Sequence, residues 1–176
     1  MATTYTLIAS NTVGSGGTST VTFSAIPGTY TDLLLRISAR ANVNNYGIRV
    51  RFNSDTGTNY TWLRLEGNGA SASSNSNTTY GSPYNTFIYS SANNQSTQTA
   101  NTFGNMDLYI PNYAGSNNKS TSHDGANENN GTDAYANLIA GLWSNNAAIT
   151  SITLTGDGTV DLVQYSTFYL YGISNS

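Results

Sequence analysis

The strongest pattern along the chain is alternation with a period of two. In Tyr46-Gly47-Ile48-Arg49-Val50-Arg51-Phe52, the apolar Tyr46, Ile48, Val50 and Phe52 share one face and Arg49 with Arg51 the other. Successive side chains of a strand point to opposite sides, so this pattern predicts a half-buried strand. The segment Asp32–Ala39 reads the same way, with Leu33, Leu35, Ile37 and Ala39 opposing Leu34, Arg36 and Ser38. In Tyr60–Leu65, Leu63 and Leu65 oppose Trp62 and Arg64, and the arginine-bearing sides of all three segments are predicted to face away from the core. Weaker signals fall on Thr4–Ala9, Ser19–Phe23, Asn85–Tyr89, Asn101–Ile110, Ile149–Leu154 and Asp161–Tyr171.

Glycine and Asn/Asp clusters punctuate these segments. Gly14-Ser15-Gly16-Gly17 predicts a hairpin between the first two strands, and Gly156-Asp157-Gly158 a terminal hairpin between the last two. The residues from Gly67 to Ser82 are nearly all Gly, Ala, Ser, Asn and Thr, which predicts a long surface loop. A polar bridge follows from Ser90 to Ala100, and Asn112–Asp133 offers at most a short strand around Lys119–His123. Ala134–Trp143 has some helical character, but it lacks long charged helix formers and runs into Ser144-Asn145-Asn146, so a strand is assigned. About nine to eleven short strands without a convincing helix predict an all-β antiparallel β-sandwich, jelly-roll-like, formed by residues 1–176 as a single domain.

Composition narrows the class. Only 9% of the 176 residues are charged, against about 25% in an average soluble domain, so Asn, Ser and Thr supply the polarity. The 13 Tyr, 5 Phe and 2 Trp argue against disorder. With no cysteine, disulfides and thiolate metal sites are excluded. The net charge of −3 excludes the strongly basic face of a nucleic-acid-binding protein. No apolar run is long enough for a spanning helix, and no basic-then-apolar leader opens the chain, so neither a membrane partner nor secretion by a cleaved signal is expected.

Catalytic signatures are absent. His123, the sole histidine, lies in a polar stretch and reads as a surface-loop residue, and no G-x-S-x-G elbow accompanies it. Asp124 and Glu128, with Asp133 nearby, lack the spacing of a calcium loop. The two glutamates, Glu66 and Glu128, carry the weak rival reading of a polysaccharide-degrading enzyme, and neither glycine cluster opens a helix that would cradle phosphate. No enzyme activity, cofactor or metal is therefore expected. What remains is arginine: Arg36, Arg40, Arg49, Arg51 and Arg64 would form a basic stripe if their strands were neighbours, and Arg with Trp62 suits a protein–protein contact. An alternative adhesive reading places glycan on loop aromatics such as Tyr80, Tyr84 and Tyr113.

Several phrases together, among them Val21-Thr22-Phe23-Ser24-Ala25-Ile26-Pro27, Arg51-Phe52-Asn53, Ile110-Pro111-Asn112-Tyr113, Ala140-Gly141-Leu142-Trp143 and Phe168-Tyr169-Leu170-Tyr171-Gly172-Ile173, span nearly the full chain. They resemble a family of small structural proteins of tailed phages, some of them capsid decoration or cement proteins. The resemblance implies a jelly-roll-like homotrimer on the exterior of the virion, made in the host bacterial cytoplasm and bound to the major capsid protein. It transfers no functional residue, because the shared phrases mark strands and turns.

Overall fold

The alternating segments pair into two antiparallel sheets. The computed structural model describes residues 4–44, 47–77, 85–90, 94–128, 134–157 and 160–174. Among these residues lie twelve strands and no helix: β1 (Tyr5–Thr12), β2 (Thr20–Phe23), β3 (Asp32–Ala39), β4 (Ile48–Phe52), β5 (Tyr60–Gly67), β6 (Ala72–Asn77), β7 (Ile88–Ser90), β8 (Gly104–Ile110), β9 (Lys119–Glu128), β10 (Ala134–Trp143), β11 (Ile152–Gly156) and β12 (Thr167–Ile173). One sheet has the order β1-β12-β3-β8-β9-β10-β5-β6 and the other β2-β11-β4-β7. Without the β5–β6 and β9–β10 hairpins, what remains is β1-β12-β3-β8 against β2-β11-β4-β7. The chain then changes sheet at every step except the central β4–β7 pair, which is jelly-roll connectivity. Both extra hairpins extend the larger sheet, so it overhangs the smaller one.

The core follows the predicted period. Leu33, Leu35, Ile37 and Ala39 of β3 face Ile48, Val50 and Phe52 of β4 across the sandwich, joined by Leu108, Ile110, Phe168 and Leu170, all buried. An aromatic cluster carries this core toward the overhang. Trp143 of β10 stacks on its cross-strand partner Tyr60 at 6.2 Å and packs on Phe52 of the smaller sheet at 5.5 Å. Its indole N–H donates to Asp55 at 2.8 Å, a common requirement for a buried Trp. Burial alone would raise the Asp55 pKa, but donors from Trp143, Asn59 and Gly57 hold the carboxyl below its ordinary range.

Four expectations are corrected. The predicted hairpins do not form: β1 pairs with β12 and β2 with β11, because adjacent strands in a jelly roll enter different sheets. The segment predicted as a loop from residue 67 contains β6, held against β5 by backbone pairing while nearly all its side chains remain exposed, so no apolar period marks it. The short strand expected around Lys119–His123 is the ten-residue β9, sandwiched between β8 and β10, and His123 within it is fully buried. Finally, β5 is inverted relative to expectation: Leu63 and Leu65 are exposed, while Trp62 and Arg64 turn toward the smaller sheet. The Ala134–Trp143 strand is present as β10.

Gly141 sets the spacing between the sheets beside the overhang. A Cβ there would meet Thr121 Oγ1 at 2.4 Å and Ile88 Cδ1 at 2.8 Å. Overpacking of this kind costs roughly 1–3 kcal/mol, so Gly141→Ala is expected to lower the urea midpoint accordingly without changing the denaturant slope. An unchanged midpoint would show that β7 has room to retreat.

Candidate functional site

The six residues singled out in the sequence separate into three places. Arg36 lies on the outer face of β3, where Nε and Nη2 reach Asp107 at 2.8 and 2.6 Å in a two-pronged pair. Arg40 is buried at the end of β3. Its guanidinium donates to the carbonyls of Thr99 at 2.7 Å, Gln98 at 2.9 Å, Thr102 at 3.1 Å and Ser96 at 3.3 Å, fastening that loop. The remaining four, Arg49, Arg51, Trp62 and Arg64, converge around Phe87 and Tyr89 at the β7 edge of the smaller sheet. A continuous basic stripe is not formed, because β3, β4 and β5 are not neighbours in either sheet.

The convergence comes from the overhang. Arg49 and Arg51 project from the outer side of β4, and Arg49 is directly opposite Tyr89 of β7. On the larger sheet, Trp62 and Arg64 project from the inner face of β5, beyond the last strand of the smaller sheet. Trp62 meets Tyr89 at 5.7 Å between ring centroids. The guanidinium carbons of Arg49 and Arg51 stand 4.3 and 5.8 Å from the Phe87 ring centroid, within reach of a cation–π attraction. Arg49 is ion-paired with Asp157, Arg64 with Glu66 at 3.5 Å, and Arg51 Nε donates to the Thr86 carbonyl at 2.8 Å. Burial, with Asp157 nearby, raises the Tyr89 phenol pKa and keeps it a neutral hydroxyl.

A cleft of about 450 Å³ opens between β5–β6 and β7, within the roughly 300–1,000 Å³ typical of small-molecule sites. Trp62, Phe87 and Tyr89 supply aromatic surface, and Arg64, Asn75 and Asn77 the polar groups. Among the described residues, no acceptor meets Trp62 Nε1–H or Arg64 Nε–H, both buried in its wall. In sequence, Phe87-Ile88-Tyr89 alternation sets both rings opposite buried Ile88 and is a signal for this site. Asn75 and Asn77 carry none, since their strand is polar throughout.

A second surface occupies the outer side of the larger sheet. Cross-strand partners there run in one file: Leu7–Tyr171–Leu34–Tyr109–Ser122–Ala140–Leu63. Leu138 and Leu65, paired with each other, lie alongside. Tyr5, Leu7, Leu63, Leu65, Tyr109 and Leu138 are each between 38% and 54% exposed. Scattered exposed leucines are ordinary, but a band crossing a sheet resembles the apolar patches that mark interaction surfaces.

Other candidates are placed elsewhere. Tyr113 is completely buried, its hydroxyl donating to the Pro27 carbonyl, which removes it as a ligand-stacking residue. Tyr80 and Tyr84 lie outside the described residues. The Glu128 carboxylate accepts from the Thr99 backbone N–H at 2.6 Å and so belongs to the loop that Arg40 fastens. Among the described residues, no three His, Asp or Glu side chains gather as metal ligands. Comparison with known protein families, curated proteins and solved structures finds no match to this chain.

Proposed function

We propose that the chain is a bacteriophage virion structural protein, a decoration protein that forms a homotrimer and binds the outside of the head through the major capsid protein. The observation that carries this reading is the Leu/Tyr file across the outer face of the eight-stranded sheet. The arginines are poor candidates for the docking energy: on this face Arg36 is already paired with Asp107, and Arg40 is internal. Leucine and tyrosine side chains give up water at little cost when they meet a complementary apolar surface. We assign the file to contacts between copies of the chain. Preference of the assembled trimer for the finished capsid lattice over free subunits would then stabilise the particle, since a ligand stabilises the state it binds.

Size-exclusion chromatography with light scattering tests the assignment. The purified protein is expected to be a trimer, and Leu65→Asp with Leu138→Asp to release monomers that stay folded, because both side chains are half exposed, but melt lower by the association energy the trimer supplied. Co-sedimentation with undecorated heads should accompany the trimer and be lost with it. A protein that stays monomeric at micromolar concentration and ignores heads would end the proposal.

A further inference from the structure

We infer that the cleft between β5–β6 and β7 is a binding site for a short uncharged saccharide. Its walls pair aromatic faces with hydrogen-bonding groups, the two things a sugar ring needs: Trp62, Phe87 and Tyr89 offer apolar faces for the C–H side of the ring. The Asn77 amide offers a donor and an acceptor to hydroxyls, and Asn75, whose Oδ1 already accepts from the Ser76 N–H, offers its amide donors. The unmatched Trp62 Nε1–H and Arg64 Nε–H lie in the same wall. Buried donors without acceptors cost free energy, and a hydroxyl-bearing ligand that enters between the rings supplies them.

The charge around the cleft is mostly balanced. Arg49 faces Asp157, Arg64 faces Glu66, and the Arg51 Nε–H is given to the Thr86 carbonyl. Cations thus stiffen the aromatic shelf, with Arg49 lying over Phe87, and among the described residues Arg51 alone of the three lacks a carboxylate partner; it is held at Thr86, outside the lining of the cleft. The site is also independent of the docking file. The file occupies the outer face of β5 and β10, whereas Trp62 and Arg64 project from the opposite face. A decoration protein carrying such a cleft would present a glycan-binding function on the particle without disturbing its attachment.

The test uses the full chain on an array of neutral and acidic oligosaccharides, followed by fluorescence titration of the neutral ones that bind. The only tryptophans are Trp62 and Trp143, and Trp143 is sealed in the core, so a ligand-dependent change in emission reports on Trp62. Neutral oligosaccharides are expected to bind, with affinity falling at least about tenfold in Trp62→Ala and severalfold in Asn77→Ala. Trp62→Phe keeps a ring against Tyr89 and guards against a folding defect; it should retain part of the affinity while losing the indole N–H bond. Absence of binding across the array, binding confined to acidic glycans, or binding unchanged in both Trp62→Ala and Asn77→Ala would each overturn the inference. Trimer formation and head binding read the docking surface separately.

Discussion

Replacing Arg40 with Met is expected to destabilise the protein by about 3 kcal/mol, a large share of the roughly 5–15 kcal/mol that holds a domain together. The side chain is buried, and its guanidinium is the common donor to four loop carbonyls, at Ser96, Gln98, Thr99 and Thr102. Hydrogen bonds to a charged group are worth about 1.5–3 kcal/mol each, but the loop can open partly to water once the guanidinium is gone, so the loss stays well below their sum. The loop's base remains tied through Asn94, which exchanges backbone hydrogen bonds with Ala39 and Ala41. The damage should therefore appear first as faster amide exchange over residues 96–102, then as a lower urea midpoint. Arg40→Lys should recover only part of the stability, since one ammonium cannot span four carbonyls. A Met variant within 1 kcal/mol of the parent would show that the loop is held mainly by Glu128, which accepts from the Thr99 N–H.

Arg40 also shows what the sequence could and could not convey. The alternation through Leu33, Leu35, Ile37 and Ala39 locates the core face of β3 correctly, and Arg40 falls on the opposite parity. Parity, however, says nothing about a loop folding over the strand end, and the carbonyls that bury Arg40 lie about sixty residues further on. The inversion of β5 has a similar origin. Leu63 and Leu65 look like core residues because local pattern ranks Leu above Trp with Arg, yet β5 sits in the overhang beyond β10, where only the β7 edge is available to cover it. β6 was illegible because its stabilisation is backbone pairing with exposed side chains, which leaves no periodic trace. The jelly-roll expectation, in contrast, rested on many short strands and punctuating turns, features set locally.

The candidate site was half legible for the same reason. Arg49, Arg51, Trp62 and Arg64 were visible as unusual residues on apolar strands, and they do come together. Their meeting place could not be read, because it depends on two hairpin insertions widening one sheet past the edge of the other. The same geometry gives the larger sheet two distinct surfaces. Its outer side carries a file of exposed Leu and Tyr beside the Arg36–Asp107 pair, while the inner side of the overhang forms an aromatic–amide cleft.

Acidification from pH 7 to pH 4.5 should remove about 3 kcal/mol of stability through one residue, His123. The ring lies on the inner side of β9 between Leu108 and Ile139, fully buried, with Nε2 2.9 Å from Thr121 Oγ1 and, among the described residues, no partner on Nδ1. Burial pushes its pKa down to about 3, whereas an unfolded chain offers an ordinary imidazole near 6.5. Between those values the unfolded state binds a proton that the folded state refuses, so stability falls as pH drops from about 6.5 toward 3 and is unaffected above 6.5. Two pH units below the unfolded value correspond to about 3 kcal/mol. Asp55 does not share this window: its carboxyl is held below the ordinary range, so its contribution is intact above pH 4 and lost only in stronger acid. Urea titrations of the parent and of His123→Leu at both pH values separate the two. The variant, which leaves the Thr121 hydroxyl without its ring partner, should be weaker than the parent at pH 7 by about 1 kcal/mol, yet lose far less on acidification. Equal losses in the two proteins would mean that the ring finds a proton acceptor or water when charged, and that the polar interior beneath β9 is more open than its burial indicates.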